Sequence, residues 1–257
     1  MKIGSKEHKE LFCRSFIESH LEYEPAHLPW PTLDSVALES LRNIPFWREA
    51  LNTEQEAGVM VNAFAATISD PLLKDAIALQ GMEEVRHGRL IKFMIDRYDI
   101  QISPPPAPVL ISNIKTAFLD FGFGECLDSF LAFGLFGLAR RHVNYIPEAL
   151  FDIFDKVLDE EARHIMFFIN WVTYLQIQEG FTATGASNFI DNLTPELLLS
   201  TCLKENSRRL GVFDKELLQP QLVPKLAKMA SASISLISSI IRTLKIETYA
   251  STAIRHH

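Results

Sequence analysis

Two short strings in this chain repeat one another: Glu83-Glu84-Val85-Arg86-His87 and Glu160-Glu161-Ala162-Arg163-His164. Both lie in stretches of helical character. Residues three apart share a helix face, so Glu84 points the same way as His87, and Glu161 the same way as His164. Two such helices set face to face surround one small volume with two carboxylates and two imidazoles. A di-metal carboxylate site inside a four-helix bundle needs these two Glu-x-x-His pairs and one further Glu from each of the other two helices. A lone Glu-x-x-His is common on solvated helix faces. Two copies with near-identical neighbours, each preceded by a helix that carries acids, point to metal.

The two missing carboxylates belong on the helices before each pair. In the first, the candidates are Glu54 and Glu56, which face different directions. Glu54 shares its face with Ala57, Gly58, Val61 and Ala65, residues small enough for close helix approach, and is preferred. In the second, Glu125 leads, with Asp128 one turn further on the same face as its competitor. Glu125 follows Phe121-Gly122-Phe123-Gly124. Two glycines in an apolar helix cost roughly 1 kcal/mol each relative to alanine, so they imply a close neighbour or a local irregularity such as a π-bulge. The expected metal ligands are therefore Glu54, Glu84, His87, Glu125, Glu161 and His164.

Glu83 and Glu160 sit one turn before the histidines. Metal-bound imidazoles usually donate their other N–H to an outer acceptor. Glu160 is expected to orient His87, and Glu83 to orient His164, across the helix pair. Arg86 and Arg163 would neutralise these acids, because buried carboxylates need partners. Carboxylate and imidazole ligands without thiolate suit iron or manganese and argue against structural zinc or blue copper.

The elements that must position these groups read as helical almost throughout, with no sustained strand alternation. A first helix is expected over 6–21, broken by Pro25, Pro29 and Pro31. A short one follows over 34–43, capped by Asp34. Four long helices come next, over 45–68 with Pro45 at the start, 70–98, 111–144 and 147–179. Pro104, Pro105, Pro106 and Pro108 form a stiff crossover between the second and third. After Gly180 a polar loop leads to helical segments over 194–210 and 223–246, read as packing against the bundle. The fold class is all-α, one domain over 1–257, with a bundle core at about 45–180 and a C-terminal extension over 181–257.

The 257-residue chain is 47% hydrophobic, enough to bury a sizeable core. A net charge of −7 speaks against a nucleic-acid partner. Three scattered cysteines without Cys-x-x-Cys suit a reducing, cytoplasmic setting. The charged N-terminus does not read as a signal peptide, and no apolar run is long enough to span a bilayer. The aromatics Phe118, Phe121, Phe130, Phe133 and Phe136 read as core, as do Trp30, Trp47 and Trp171.

On these motifs the chain resembles the ferritin-like di-iron carboxylate superfamily, which places Glu, Glu-x-x-His, Glu, Glu-x-x-His on four helices. The resemblance covers roughly 45–180. The doubled acid-Glu-x-Arg-His string is similar to that of bacterial multicomponent monooxygenases and ribonucleotide reductase small subunits. Glu54-Gln55-Glu56-Ala57 is similar to the string of the aldehyde-deformylating oxygenases, in which the first Glu is the ligand. Two departures stand out. The reductases' radical tyrosine one turn after the first His has no counterpart, since Leu90, Ile91 and Met94 are apolar. Glu125 also lies further before its Glu-x-x-His than the third ligand does in the aldehyde oxygenases. The resemblance implies two bound iron ions, with manganese as the variant, and an O2-dependent oxidation of a small organic substrate using an external electron donor. A homodimer is compatible with it. The competing expectations are a dimanganese catalase, a non-enzymatic or ferroxidase iron-binding protein, and a di-iron tRNA hydroxylase, the last disfavoured by the net charge.

Overall fold

The computed structural model describes residues 2–104 and 113–179. Most of the proline run and the segments expected over 194–210 and 223–246 lie outside the described residues. So do the side chains of Asp128 and Phe130 within their helix.

The described residues contain six α-helices and one 3-10 turn, and no strand. The helices are α1 (Lys6–Glu18), α2 (Ser35–Arg42), α3 (Trp47–Thr67), α4 (Pro71–Arg97), α5 (Ile114–His142) and α6 (Glu148–Glu179), with the 3-10 turn at Pro25–His27. No described helix is long and apolar enough to cross a membrane.

Polar caps fix where the helices begin. Ser5, Asp34, Asp70 and Asn113 each accept a hydrogen bond from a backbone N–H three residues ahead, which satisfies a donor the helix itself leaves orphaned. Asp70 also pairs with Lys9 of α1, so one carboxylate caps α4 and ties α1 to it. Pro71 supplies the preset first helical position. Pro45 does not start α3 as expected: it lies in the turn before, and α3 begins at Trp47, whose indole N–H donates to Leu41 O at 2.8 Å. Likewise α1 stops at Glu18 rather than at residue 21. The Ser19 hydroxyl folds back onto Ser15 O at 2.7 Å, and the chain turns so that His20 reaches a buried carboxylate of α4.

α3 packs along α4, α5 along α6, and α5 also meets α3; α1 lies against α4 and α6. The apolar core falls into two halves. One gathers Phe64, Ile77, Phe118, Phe168 and Trp171, with the Phe64 and Phe118 rings stacked at 4.3 Å between centroids. The other gathers Trp47, Leu90, Met94, Phe151 and Ile153. Between the halves runs a layer of buried charge carried by α3, α4, α5 and α6. The tryptophans expected in packing roles agree: Trp30, Trp47 and Trp171 are all buried.

Gly122 explains one of the two costly glycines on α5. A Cβ there would lie 2.1–2.6 Å from ring atoms of Phe168. That ring cannot step aside, because it is buried and held edge-on against Phe118 and at a tilt against Trp171. The glycine therefore buys helix–helix proximity, and α5 is α-helical throughout with no π-bulge. Helix propensity alone would make Gly122→Ala stabilising by about 1 kcal/mol. The packing reverses the sign: Gly122→Ala is expected to destabilise by about 1–3 kcal/mol, measurable by urea unfolding.

Candidate metal centre

α4 and α6 deliver their repeated strings face to face. Glu83, Glu84 and His87 from α4 and Glu160 and His164 from α6 are at most 1% exposed, and Glu161 is buried too. The two imidazoles stand 5.8 Å apart between ring centroids. Both turn Nδ1 inward. His87 Nδ1 lies 3.0 Å from Glu161 Oε1, 3.5 Å from Glu54 Oε2 and 3.7 Å from Glu84 Oε2. His164 Nδ1 lies 3.1 Å from Glu84 Oε1, 3.5 Å from Glu161 Oε2 and 3.7 Å from Glu125 Oε1. Glu84 and Glu161 thus each offer one oxygen to either imidazole, while Glu54 serves only the His87 side and Glu125 only the His164 side. Two four-membered groups result, Glu54/Glu84/His87/Glu161 and Glu84/Glu125/Glu161/His164, sharing two carboxylates.

All six residues expected as ligands from the sequence meet in this cluster. Glu56 does not: it is exposed on α3. Asp120, another acid of α5, is exposed as well.

The outer ring is crossed. His87 Nε2 donates to Glu160 Oε2 and His164 Nε2 donates to Glu83 Oε2, each at 2.8 Å. Arg86 pairs with Glu160, and Arg163 Nη1 donates to Glu83 Oε1 at 2.9 Å. Each string therefore supports the histidine of the other. Donating Nε2–H to a carboxylate leaves the Nδ1 lone pair for the centre.

Three participants were not foreseen. His20 Nδ1 contacts Glu83 Oε1 at 2.6 Å, and the Tyr23 hydroxyl donates to Glu160 Oε2 at 3.0 Å. The segment after α1 thus closes one flank of the outer ring, with Arg163 also bonded to Ser19 Oγ and Phe16 O. No local pattern announces contacts across 63 and 137 positions. The third, Gln80, had a signal: it lies one turn before Glu84 on the same face. It is buried and donates from Nε2 to Glu84 Oε1 and Glu125 Oε2, both at 3.3 Å.

The charge count decides what the centre can hold. Arg86 and Arg163 balance Glu83 and Glu160. That leaves four carboxylates, Glu54, Glu84, Glu125 and Glu161, in a region that disfavours isolated charge. Two divalent cations would neutralise them with both imidazoles neutral. The geometry fits that filling in a second way. The Nδ1 atoms of His87 and His164 are buried without a hydrogen-bond partner, with carboxylate oxygens at 3.0 and 3.1 Å, as expected of ring nitrogens that carry a lone pair and face acceptors. They are aimed between the carboxylates, as ligand atoms are.

Without metal, protons substitute for the ions. Burial pushes the Glu54 carboxyl up to about 8 and that of Glu125 well above its usual range. Burial opposes a charged imidazole, yet the surrounding carboxylates raise both His87 and His164 well above the ordinary histidine value. Burial likewise opposes the charge on Glu84 and Glu161, but the two histidines hold both carboxyls low. The same contest at Glu83 is won by His164, Arg163 and His20, which hold it at about 2. Two protonated imidazoles, two ionised and two neutral carboxyls sum to zero charge.

The chain matches no protein-family model, no curated protein and no solved structure.

Three outcomes follow. Filling the centre with two divalent ions at neutral pH is expected to release about four protons per chain, countable by titrating in buffers of different ionisation enthalpy. Because the raised groups must release their protons for metal to bind, metal affinity should drop on acidification. Glu160→Ala, which removes the acceptor from His87, is expected to weaken metal binding by about 10–100-fold, read by competition with a chelating dye.

Proposed function

We propose that this chain is a di-iron carboxylate oxidoreductase of the ferritin-like four-helix plan, using O2 to oxidise a small organic substrate. The observation that carries the reading is the doubled Glu/His set: four carboxylates and two inward Nδ1 atoms in two overlapping groups, whose charge two divalent ions would balance. Glu84 and Glu161, which face both imidazoles, would serve both ions, Glu54 would serve the ion on the His87 side and Glu125 the ion on the His164 side. When bound, two ferrous ions supply the electrons that reduce O2.

The protein's share of the chemistry is read from its own residues. Glu160 and Glu83 fix the two imidazole planes, and Arg86 and Arg163 pair with those acids. Apolar halves above and below exclude bulk water, which strengthens every electrostatic contact within. The aromatic packing of Phe64, Phe118, Phe168 and Trp171 closes one end of the layer. An external donor returns electrons after each turnover. The preference for iron over manganese rests on the resemblance of the repeated strings and not on affinity order.

The deciding experiment is elemental analysis after anaerobic Fe(II) loading, with wild type beside the Glu84→Ala/His164→Ala double variant. About two irons per wild-type chain are expected, lost in the variant, followed by O2 consumption on exposure to air. Manganese uptake with peroxide turnover would point to a catalase instead. Iron accumulating far beyond two per chain would indicate storage. Uptake of neither metal would overturn the reading.

A further inference from the structure

The near-twofold arrangement of the centre is broken at one position. Gln80 lies four residues before Glu84 on α4; the matching place on α6, four residues before Glu161, holds Val157. Both are buried. The Gln80 amide donates to Glu84 Oε1, the oxygen nearest His164 Nδ1, and to Glu125 Oε2. Of the three carboxylates around His164, Glu125 and the Glu84 oxygen that faces His164 are thus pinned before any ion arrives, and Glu161 is not bonded to Gln80. On the other side, Val157 has no hydrogen bond to offer. His87 is the one described side chain within ion-pair reach of Glu54, at 3.5 Å. Glu54 is also the most exposed of the four acids, its side chain 18% accessible against 9% for Glu125.

Gln80 bears a cost for this role. Its Oε1 is buried with no hydrogen-bond partner, a state that natural cores avoid unless something is gained. The gain is a donor aimed at two carboxylates that bind the same ion. Ligands already held in place lose less freedom when the ion arrives, and outer-shell hydrogen bonds are worth 10–100-fold in metal affinity.

Building on the di-metal reading above, we propose that Gln80 makes the two metal positions unequal. The position between His164 and Glu125 is the tight one and fills first. The position between His87 and Glu54 is the weaker, exchangeable one.

The test is an anaerobic titration with Mn(II), following the free-ion signal by electron paramagnetic resonance. It compares wild type, Glu54→Ala, Glu125→Ala, Gln80→Leu and Gln80→Met. Wild type is expected to bind in two steps at least about tenfold apart. Glu54→Ala should keep the tight step and stop at one ion per chain, whereas Glu125→Ala should lose the tight step. Gln80→Leu and Gln80→Met remove the donor and the unpartnered oxygen together. Each should weaken the first step by about 10–100-fold and bring the two steps together, while the metal-free protein melts no lower than wild type. Two ions bound with equal affinity by wild type would overturn the proposal. So would loss of the tight step in Glu54→Ala, or unchanged steps in both Gln80 variants. A wild type that binds no metal at all would instead overturn the di-metal reading beneath it.

Discussion

Six carboxylates enclosed in one helical core set the terms for everything around them. Glu54, Glu83, Glu84, Glu125, Glu160 and Glu161 lie within one layer, and among the described residues two guanidinium groups, Arg86 and Arg163, accompany them. In a medium of low dielectric, four uncompensated negative charges could not persist. Either protons or cations must fill the deficit, and burial of Glu54 and Glu125 together with the carboxylates around both imidazoles favours protons where no cation is bound. Each ion that entered such a centre would displace the protons that stood in its place. The apolar halves on either side matter for the same reason. They keep water out of the layer, so the charge deficit cannot be relieved by solvation.

The crossed outer ring is a second consequence of that deficit. If Glu83 served His87 on its own helix, each string would be a self-contained unit. Instead, Glu83 reaches His164 and Glu160 reaches His87, so α4 and α6 are joined by two charge-assisted hydrogen bonds through the layer's middle. Registry between the helices is thereby tied to ligand orientation. A slip of one turn would strand two acids and two imidazoles at once. The segment from Phe16 to Tyr23 adds a lock on the same contacts, since it supplies partners to both arginines and both acids.

Much of this was legible in the residues. Periodicity and proline placement located all six described helices to within a few positions, and the i, i+3 rule alone oriented Glu84 with His87 and Glu161 with His164. Glu54 was separable from Glu56 because its face carries Ala57, Gly58 and Val61, which the structure buries. The discrepancies have local physical causes. Pro45 sits in a turn because Trp47 anchors the helix start, and α1 ends early because His20 leaves the axis for Glu83. What could not be read were the contacts of His20 and Tyr23. Their segment has no periodic pattern, and the partners are brought to it only by the packing of distant helices.

The glycine of α5 and the glutamine of α4 teach the same lesson about local rules. Gly122 is a poor helix residue and Gln80 leaves a buried oxygen without a partner; taken alone, both are defects. Each is resolved by a neighbour across the core. Gly122 admits the Phe168 ring, which α6 presents one turn past His164. Gln80 gives its amide to carboxylates on two helices. Positions where local preference is violated are therefore the ones that carry information about tertiary arrangement. In this chain both violations lie within the stretch of helix that surrounds the charged layer, where close approach and fixed carboxylates are needed together.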